Sequence, residues 1–452
     1  MTDSTVKRSL LNKISLQLIL FLFLYNIPLH LFKIPFSSGK LISIGAMVYL
    51  TTILLVKQTN LIKISKEYLY YIYGVIIVYI ITFILLKIIY NTQDDYYLTV
   101  LVFYIIEYLI GAYLIIVLFK IYSLNELIKN IILVSVIQAL IMVCSLFISP
   151  LKKIVVAIME ANPQFALFSG ADKIKDSFRG LTLASDRTLG MSVFFSLVIM
   201  LIFLYIITER NKVKYAKYVL FFLLIFCGGI LAARTFFVGL AFGLIFLFIL
   251  INRYPSYSFK LKKYSKKIGI ITLLIFFSIP IIINLFFSEI KDEIDLAFDW
   301  AFEIFINLSN DGSAKSESLD DLLNNHLSVI PSDWQTILIG DPNRTFVNGI
   351  HYMGAFTDSG YLRNLYVYGI IGSLAVYLFW IFVFRRTAKL FTKSEGIGYL
   401  LFFIGIVLFV VQIKYDVFPG SALNFKIVLL FFVFGVERKR YLQLNFKSLD
   451  GK

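Results

Sequence analysis

Residues 188–208 read TLGMSVFFSLVIMLIFLYIIT, with no charged side chain anywhere in the run. A helix of about 20 apolar residues is what a hydrocarbon core of about 30 Å requires. A helix that is apolar on every face belongs in a membrane or a deep core, not at a water-exposed surface. Working outward, comparable runs lie near 14–32, 41–56, 68–90, 97–119 and 127–149 on one side. On the other they lie near 218–233, 235–251, 268–287, 364–384, 396–412 and 423–436. The chain therefore reads as an all-α polytopic membrane protein with about 12 transmembrane helices. Composition agrees: 59% of its 452 residues are hydrophobic and 16% charged, with a mean hydropathy of +0.83. A soluble domain carries about 25% charged residues, so a soluble enzyme and a disordered chain are both excluded. Lys7, Arg8 and Lys13 precede the first run, and no small-residue cleavage site follows it. That run reads as the first spanning helix and not as a secretory leader.

The net charge of +15 comes from 43 Lys and Arg against 28 Asp and Glu. These cations gather in alternate connections: Arg210, Lys212, Lys214 and Lys217, then Lys260, Lys262, Lys263, Lys266 and Lys267, then Arg385, Arg386, Lys389 and Lys393. Acidic residues favour the other side. The positive-inside rule makes the basic side cytoplasmic and puts both termini there. Topology thus accounts for the excess charge, and nucleic acid is not an expected partner. Two outer segments are large, which divides the chain as follows: 1–149 holds helices 1–5, 150–187 is the first large outer loop, 188–287 holds helices 6–9, 288–363 is the second large outer loop, and 364–452 holds helices 10–12 and a cytoplasmic tail. The second loop opens with Ile290, Ile294, Ala297, Ala301 and Phe305 on one helical face and Asp292, Asp295, Asp299 and Glu303 on the opposite one. This spacing predicts an amphipathic helix along the outer membrane surface. Ser309–Asp321, rich in Ser, Asp and Asn, reads as a loop. No internal repeat of the kind found in many transporters is present.

Positive charge on the outer side runs against the topological trend. Arg234, in GGILAARTFF (228–237), stands between two spans, where a guanidinium at helix depth costs about 2.5–3.5 kcal/mol unless it snorkels or is paired. It is either an interfacial arginine of that kind or an anion site, because its planar fork grips phosphate oxygens bidentately. Arg179 and Arg187, in DSFRGLTLASDRTLG (176–190), flank the approach to the sixth helix. They form a phosphate cradle with Gly180, or a solvated loop with Asp176 and Asp186 as partners. Arg344 is a fourth outer arginine. GIHYMGAFTDSGYLRNLYVYGIIGSL (349–374) marks where the second loop re-enters the membrane ahead of a helix punctuated by Gly369 and Gly372. Asp358 there is a candidate general base or acceptor-orienting group, or alternatively, with Ser359, a helix cap. Arg363 stands beside it, and His351 is a second candidate base. Glu107, inside the fourth helix, is a functional candidate by location or a carboxylate paired within the bundle. Asp94 and Asp95 lack a third metal ligand. Cys144 and Cys227 fall in apolar runs, and the three histidines are scattered, so no metal site and no cofactor are expected.

The run Asp358-Ser-Gly-Tyr-Leu-Arg-Asn-Leu-Tyr-Val-Tyr-Gly-Ile-Ile-Gly372, following a large outer loop near the C-terminus, resembles bacterial O-antigen polymerases. Arg234-Thr235 at the start of a helix with Gly239 and Gly243 is similar to the "RT…G" segment of the wider polymerase and ligase superfamily. The ligases of that superfamily have a histidine where this chain has Asp358, while Leu362 and Gly369 match their pattern. The resemblance implies a glycosyltransferase at the periplasmic face of the bacterial inner membrane. Its donor would be a polyprenyl-diphosphate-linked glycan and its acceptor the terminal sugar of another lipid-linked repeat unit. A chain-length regulator protein and the bilayer are the implied partners. Arg234, Arg179, Arg187 and Arg344 would face the diphosphate, and Asp358, His351 and Arg363 the reacting sugars. A ligase joining finished polymer to a lipid core, and a flippase of lipid-linked oligosaccharides, remain the alternatives.

Overall fold

The computed structural model describes residues 9–34, 36–57, 65–90, 103–161, 180–186, 188–208, 215–253, 299, 302–303, 306–310, 320, 322–327, 330–331, 333–341, 346–347, 350–351, 357, 359–392, 396–418 and 421–450. The predicted run 268–287, most of the amphipathic segment 290–305 and nearly all of 309–321 lie outside these residues, as do Asp94 and Asp95.

Every other predicted run is helical. In chain order the helices are α1 (Leu10–Tyr25), α2 (Ser38–Lys57), α3 (Lys66–Tyr90), α4 (Phe103–Leu118), α5 (Leu124–Phe147), α6 (Ser149–Glu160), α7 (Leu189–Thr208), α8 (Tyr215–Ala232), α9 (Thr235–Arg253), α10 (Trp334–Ile339), α11 (Gly360–Lys389), α12 (Ile397–Val411) and α13 (Ala422–Asp450). The chain is thus mostly helical, and α5, α7, α9 and α11 are long and apolar enough to cross a bilayer. Several elements, α10 among them, lie within stretches read as loops. The twelve-residue α6 follows α5 directly, with Pro150 in its first turn, where a missing N–H costs nothing. A two-residue hairpin pairs Phe346 with His351 and Val347 with Ile350.

Helix ends follow local chemistry. Asn26 adopts a left-handed conformation (φ 49°, ψ 50°) and its N–H bonds Leu22 O; α1 therefore ends short of residue 32. Asn tolerates this conformation better than most residues. α4 opens with eight π-helical residues, Phe103–Ile110. α11 is broken at Gly369 (φ 61°, ψ −174°). A straight helix would set Asn364 and Tyr377 about 20 Å apart along the axis. Instead Asn364 Nδ2 donates to Tyr377 Oη at 3.0 Å, so residues 360–368 fold sharply over the rest of α11. Only glycine fits the break: a Cβ on Gly369 would meet the Leu338 carbonyl at 2.4 Å, and one on Gly340 would meet Val367 O at 2.5 Å. α10 docks into the break, with Asp341 N–H donating to Tyr366 O at 2.6 Å.

α7 is the core helix, buried on all sides and packed against α5, α8, α9, α12 and α13. Small residues bring backbones together there. A Cβ on Gly239 of α9 would overlap Ser196, and one on Gly243 would touch Met200, the close approach small residues permit between membrane helices. The connections gather at two ends. At one end, Ser185 N–H bonds Tyr25 O, Gly180 N–H bonds Leu231 O, and Tyr361 N–H bonds Gln412 O. At the other, Tyr68 donates to Glu437, Arg386 pairs with Glu67, and Tyr122 stacks on Tyr441. The long helices therefore alternate in direction from α1 through α9 and again from α11 to α13, while α9 and α11 run the same way.

Between these ends, the Lys426 ammonium of α13 donates to Glu107 Oε1 at 2.6 Å and to Phe23 O at 2.9 Å. Lys426 is 0% exposed. Of the two readings for Glu107, the structure gives the paired one. A Cβ on Gly39 would strike Asn26 Oδ1, Lys426 Nζ and Glu107 Oε1, all within 3 Å, so this glycine makes the room. Lys426→Met leaves an unpaired buried carboxylate and should cost about 3–5 kcal/mol. Adding Glu107→Met should restore most of it. Thermal unfolding in detergent measures both, and equal melting temperatures for Lys426→Met and the unaltered protein would refute the pairing role.

Candidate functional site

The end of the bundle that holds Asn26, Gly180 and Gln412 also holds most of the remaining buried polar side chains. Its central piece is residues 180–186, threaded among the helices, with Leu181, Thr182 and Ala184 almost fully buried. Gly180 takes a positive φ of 66°. Thr182 Oγ1 accepts from Gln138 Nε2 at 2.5 Å and from Ala184 N–H at 3.1 Å. This stretch lies between the two predicted arginines Arg179 and Arg187, which are themselves outside the described residues. So are Arg344 and Asp358. His351 is placed on the short hairpin.

Asp186 sits against the first turn of α7. A Cβ on Gly190 would collide with its carboxylate, and Tyr415 Oη and Ser421 Oγ donate to its two oxygens at 2.7 and 2.6 Å. Asn424 Nδ2 extends the network to Ser421 Oγ at 2.7 Å. Burial pushes the Asp186 carboxyl above its ordinary range, and the bonds from Ser421 and Tyr415 partly offset that. The Tyr415 phenol moves up as well, by burial first and then by the carboxylate of Asp186. A loop aspartate paired with neighbouring arginines was one expectation from sequence; those arginines lie outside the described residues, and the placed partners are hydroxyls from the connection after α12.

That connection, residues 412–421, carries Asp416. Gln412 Oε1 accepts the N–H groups of Val417 and Phe418 at 2.7 and 3.1 Å, which closes the turn. Asn364 Nδ2 donates to Phe418 O at 2.5 Å, tying the folded-over start of α11 to it. Asp416 is 2% exposed, and neither carboxylate oxygen receives a hydrogen bond among the described residues. Its nearest cation is Arg363, Nη1 to Oδ2 3.9 Å. Arg363 Nη2 also donates to Thr357 O at 3.0 Å. Burial drives the Asp416 carboxyl up, against the pull of Arg363. A buried carboxylate left without donors is costly, and groups perturbed in this way concentrate at functional sites.

Arg234 occupies the turn between α8 and α9. It forms an ion pair with Glu303, and Phe237 packs on Phe302 with ring centroids 5.5 Å apart, so part of the second large loop lies over this turn. Next to it, Ser192 Oγ and Thr235 Oγ1 share a 2.6 Å hydrogen bond. The acidic face predicted for residues 292–303 thus supplies one of its members to a buried guanidinium. Of the predicted site residues, the structure brings Arg234 and Arg363 to the same end, each beside a carboxylate. Sequence reasoning missed Asp416 and Tyr415. The available signal was an acid in the short QIKYDVFPGSALN connection (412–424) between two apolar runs.

Asp416 and Asp186 hold protons in the folded state at pH values where an unfolded chain has lost them. Each therefore makes stability fall as pH rises from about 4, the ordinary carboxylate value, through its raised folded value. Asp416→Asn should flatten that decline. Melting temperatures in detergent across pH 4–8 test it, and parallel curves for both proteins would mean that Asp416 ionises as freely folded as unfolded. In comparisons with known proteins, no family model, no curated protein and no solved structure matches this chain.

Proposed function

We propose that the chain is an O-antigen (surface polysaccharide) polymerase of the bacterial inner membrane. In this reading about 12 helices span the bilayer, both termini are cytoplasmic, and the polar end of the bundle faces the periplasm. The enzyme joins polyprenyl-diphosphate-linked repeat units without a nucleotide sugar, because the donor already carries its leaving group. The observation that carries the reading is the pair Arg234 and Arg363, both at one end of an apolar bundle, Arg234 paired with Glu303 and Arg363 lying 3.9 Å from Asp416. A membrane-anchored diphosphate presents the anionic oxygens that a guanidinium fork binds bidentately. Glu303 and the Thr357 carbonyl hold those forks in place until substrate oxygens replace them. As the diphosphate departs, its growing charge is stabilised by the arginines in a site with little water.

Deprotonation of the acceptor hydroxyl needs a base near the arginines. Asp416 suits it: buried, close to Arg363, and inclined by burial to take up a proton. Asp358, the residue after Thr357, whose carbonyl holds Arg363, is the base implied by the resemblance; His351 is its alternative.

Deletion of the gene from its source strain should remove the lipopolysaccharide ladder on a gel and leave core plus one repeat unit. Complementation with Arg363→Lys or Arg234→Lys keeps the charge, loses the fork and should slow chain growth about 10²–10³-fold, giving short chains at normal protein levels. Bare core in the deletion strain would favour ligation or flipping instead. A full ladder from both variants would remove the arginines from the mechanism.

A further inference from the structure

The sequence places only the opening, amphipathic part of the outer loop 288–363 on the membrane surface, yet α10 does not look like a water-facing element either. Trp334 and Leu338, one turn apart, are 75% and 45% exposed, while Asp333 caps the helix by accepting Thr336 N–H at 2.7 Å. Beneath it, α11 presents a continuous exposed stripe of Ile370, Ile371, Leu374 and Leu378, the face that a spanning helix turns to lipid. The Leu338 carbonyl lies against Gly369, the residue before that stripe begins. The exposed faces of α10 and α11 therefore join.

Length decides where this junction lies. Arg385 and Arg386 mark the opposite end of the stripe, and Arg386 stacks over the Tyr70 ring at 4.8 Å. The helical rise puts Gly369 about 24 Å above Arg385, whereas the hydrocarbon core is about 30 Å thick. A bilayer seated on those arginines extends several ångströms past Gly369, and tilting α11 carries it further. We propose that α10 is a membrane-interface element, with Trp334 and Leu338 seated among the acyl chains and headgroups at the end of the bundle that carries Asp416. Tryptophan is enriched at that depth. Lipid would thereby hold α10 in the Gly369 break and fix the folded-over segment that carries Arg363.

The test is fluorescence of the full chain in liposomes, compared with Trp334→Phe, which alters only an exposed ring. The emission that the variant loses is the Trp334 contribution, so the other two tryptophans cancel. Lipids brominated high on the acyl chain should quench that contribution strongly, and lipids brominated near the chain end weakly. Aqueous iodide should leave it unchanged. Quenching by iodide with no response to brominated lipid would place Trp334 in water and overturn the proposal. Insensitivity to both quenchers would mean that another part of the chain covers α10, which overturns it too.

Discussion

Lys426 and Glu107 form the contact on which the arrangement of the first helices and the last one depends. The ammonium of α13 meets the carboxylate of α4 and the carbonyl of Phe23 at the end of α1, in a pocket that Gly39 of α2 leaves open. Four helices are thus fixed by one cation. A lysine in the middle of a bilayer costs about 2.5–3.5 kcal/mol on insertion scales, and a lone buried carboxylate costs comparably. Satisfied together, the pair removes both penalties and specifies which faces of these helices must meet. Apolar packing alone specifies that poorly, because lipid tails and leucine side chains are nearly equivalent partners.

The same constraint, applied at one end of the bundle, gives a different outcome. Asp186 is fully provided for by Tyr415, Ser421 and the start of α7. Asp416, next to Tyr415 in sequence, is more deeply buried, and among the described residues its nearest cation is Arg363 at 3.9 Å. One carboxylate is structural cement; the other is held in an unfavourable state. Arg363 and Arg234 share that end, positioned by the glycine break in α11 and by the tight α8–α9 turn. A rigid apolar frame with under-satisfied polar groups at its rim is an arrangement that trades stability for a place where charge can develop.

Much of the helical framework was legible in the sequence because lipid and a packed core make the same demand, namely long apolar runs. Ends were less legible. Asn26 stops α1 through a left-handed turn, and α11 begins before its apolar run because Gly360–Tyr368 forms a separate folded-over segment. Glu107 stood out as an acid inside a span, but its partner lies 319 positions away in the chain, a separation no local pattern reveals. Asp416 was invisible for the opposite reason. An aspartate in a short connection resembles any solvated loop residue, and only the fold, which folds the start of α11 over this connection, shows it buried. Arg234 was singled out by positive charge on the side expected to be outer and Arg363 by its place where the second loop was expected to re-enter the membrane, and the carboxylates beside them emerged only from the fold.

The most direct measurement of the central claim is turnover by the purified protein in liposomes supplied with a polyprenyl-diphosphate-linked repeat unit. If the arginine-lined end transfers glycan from one lipid carrier to another, the product is a ladder of lipid-linked oligomers. Polyprenyl diphosphate is released once per bond, and no nucleotide is required. If the glycan instead crosses the bilayer unchanged and no oligomer forms, the protein moves its substrate and does not polymerise it.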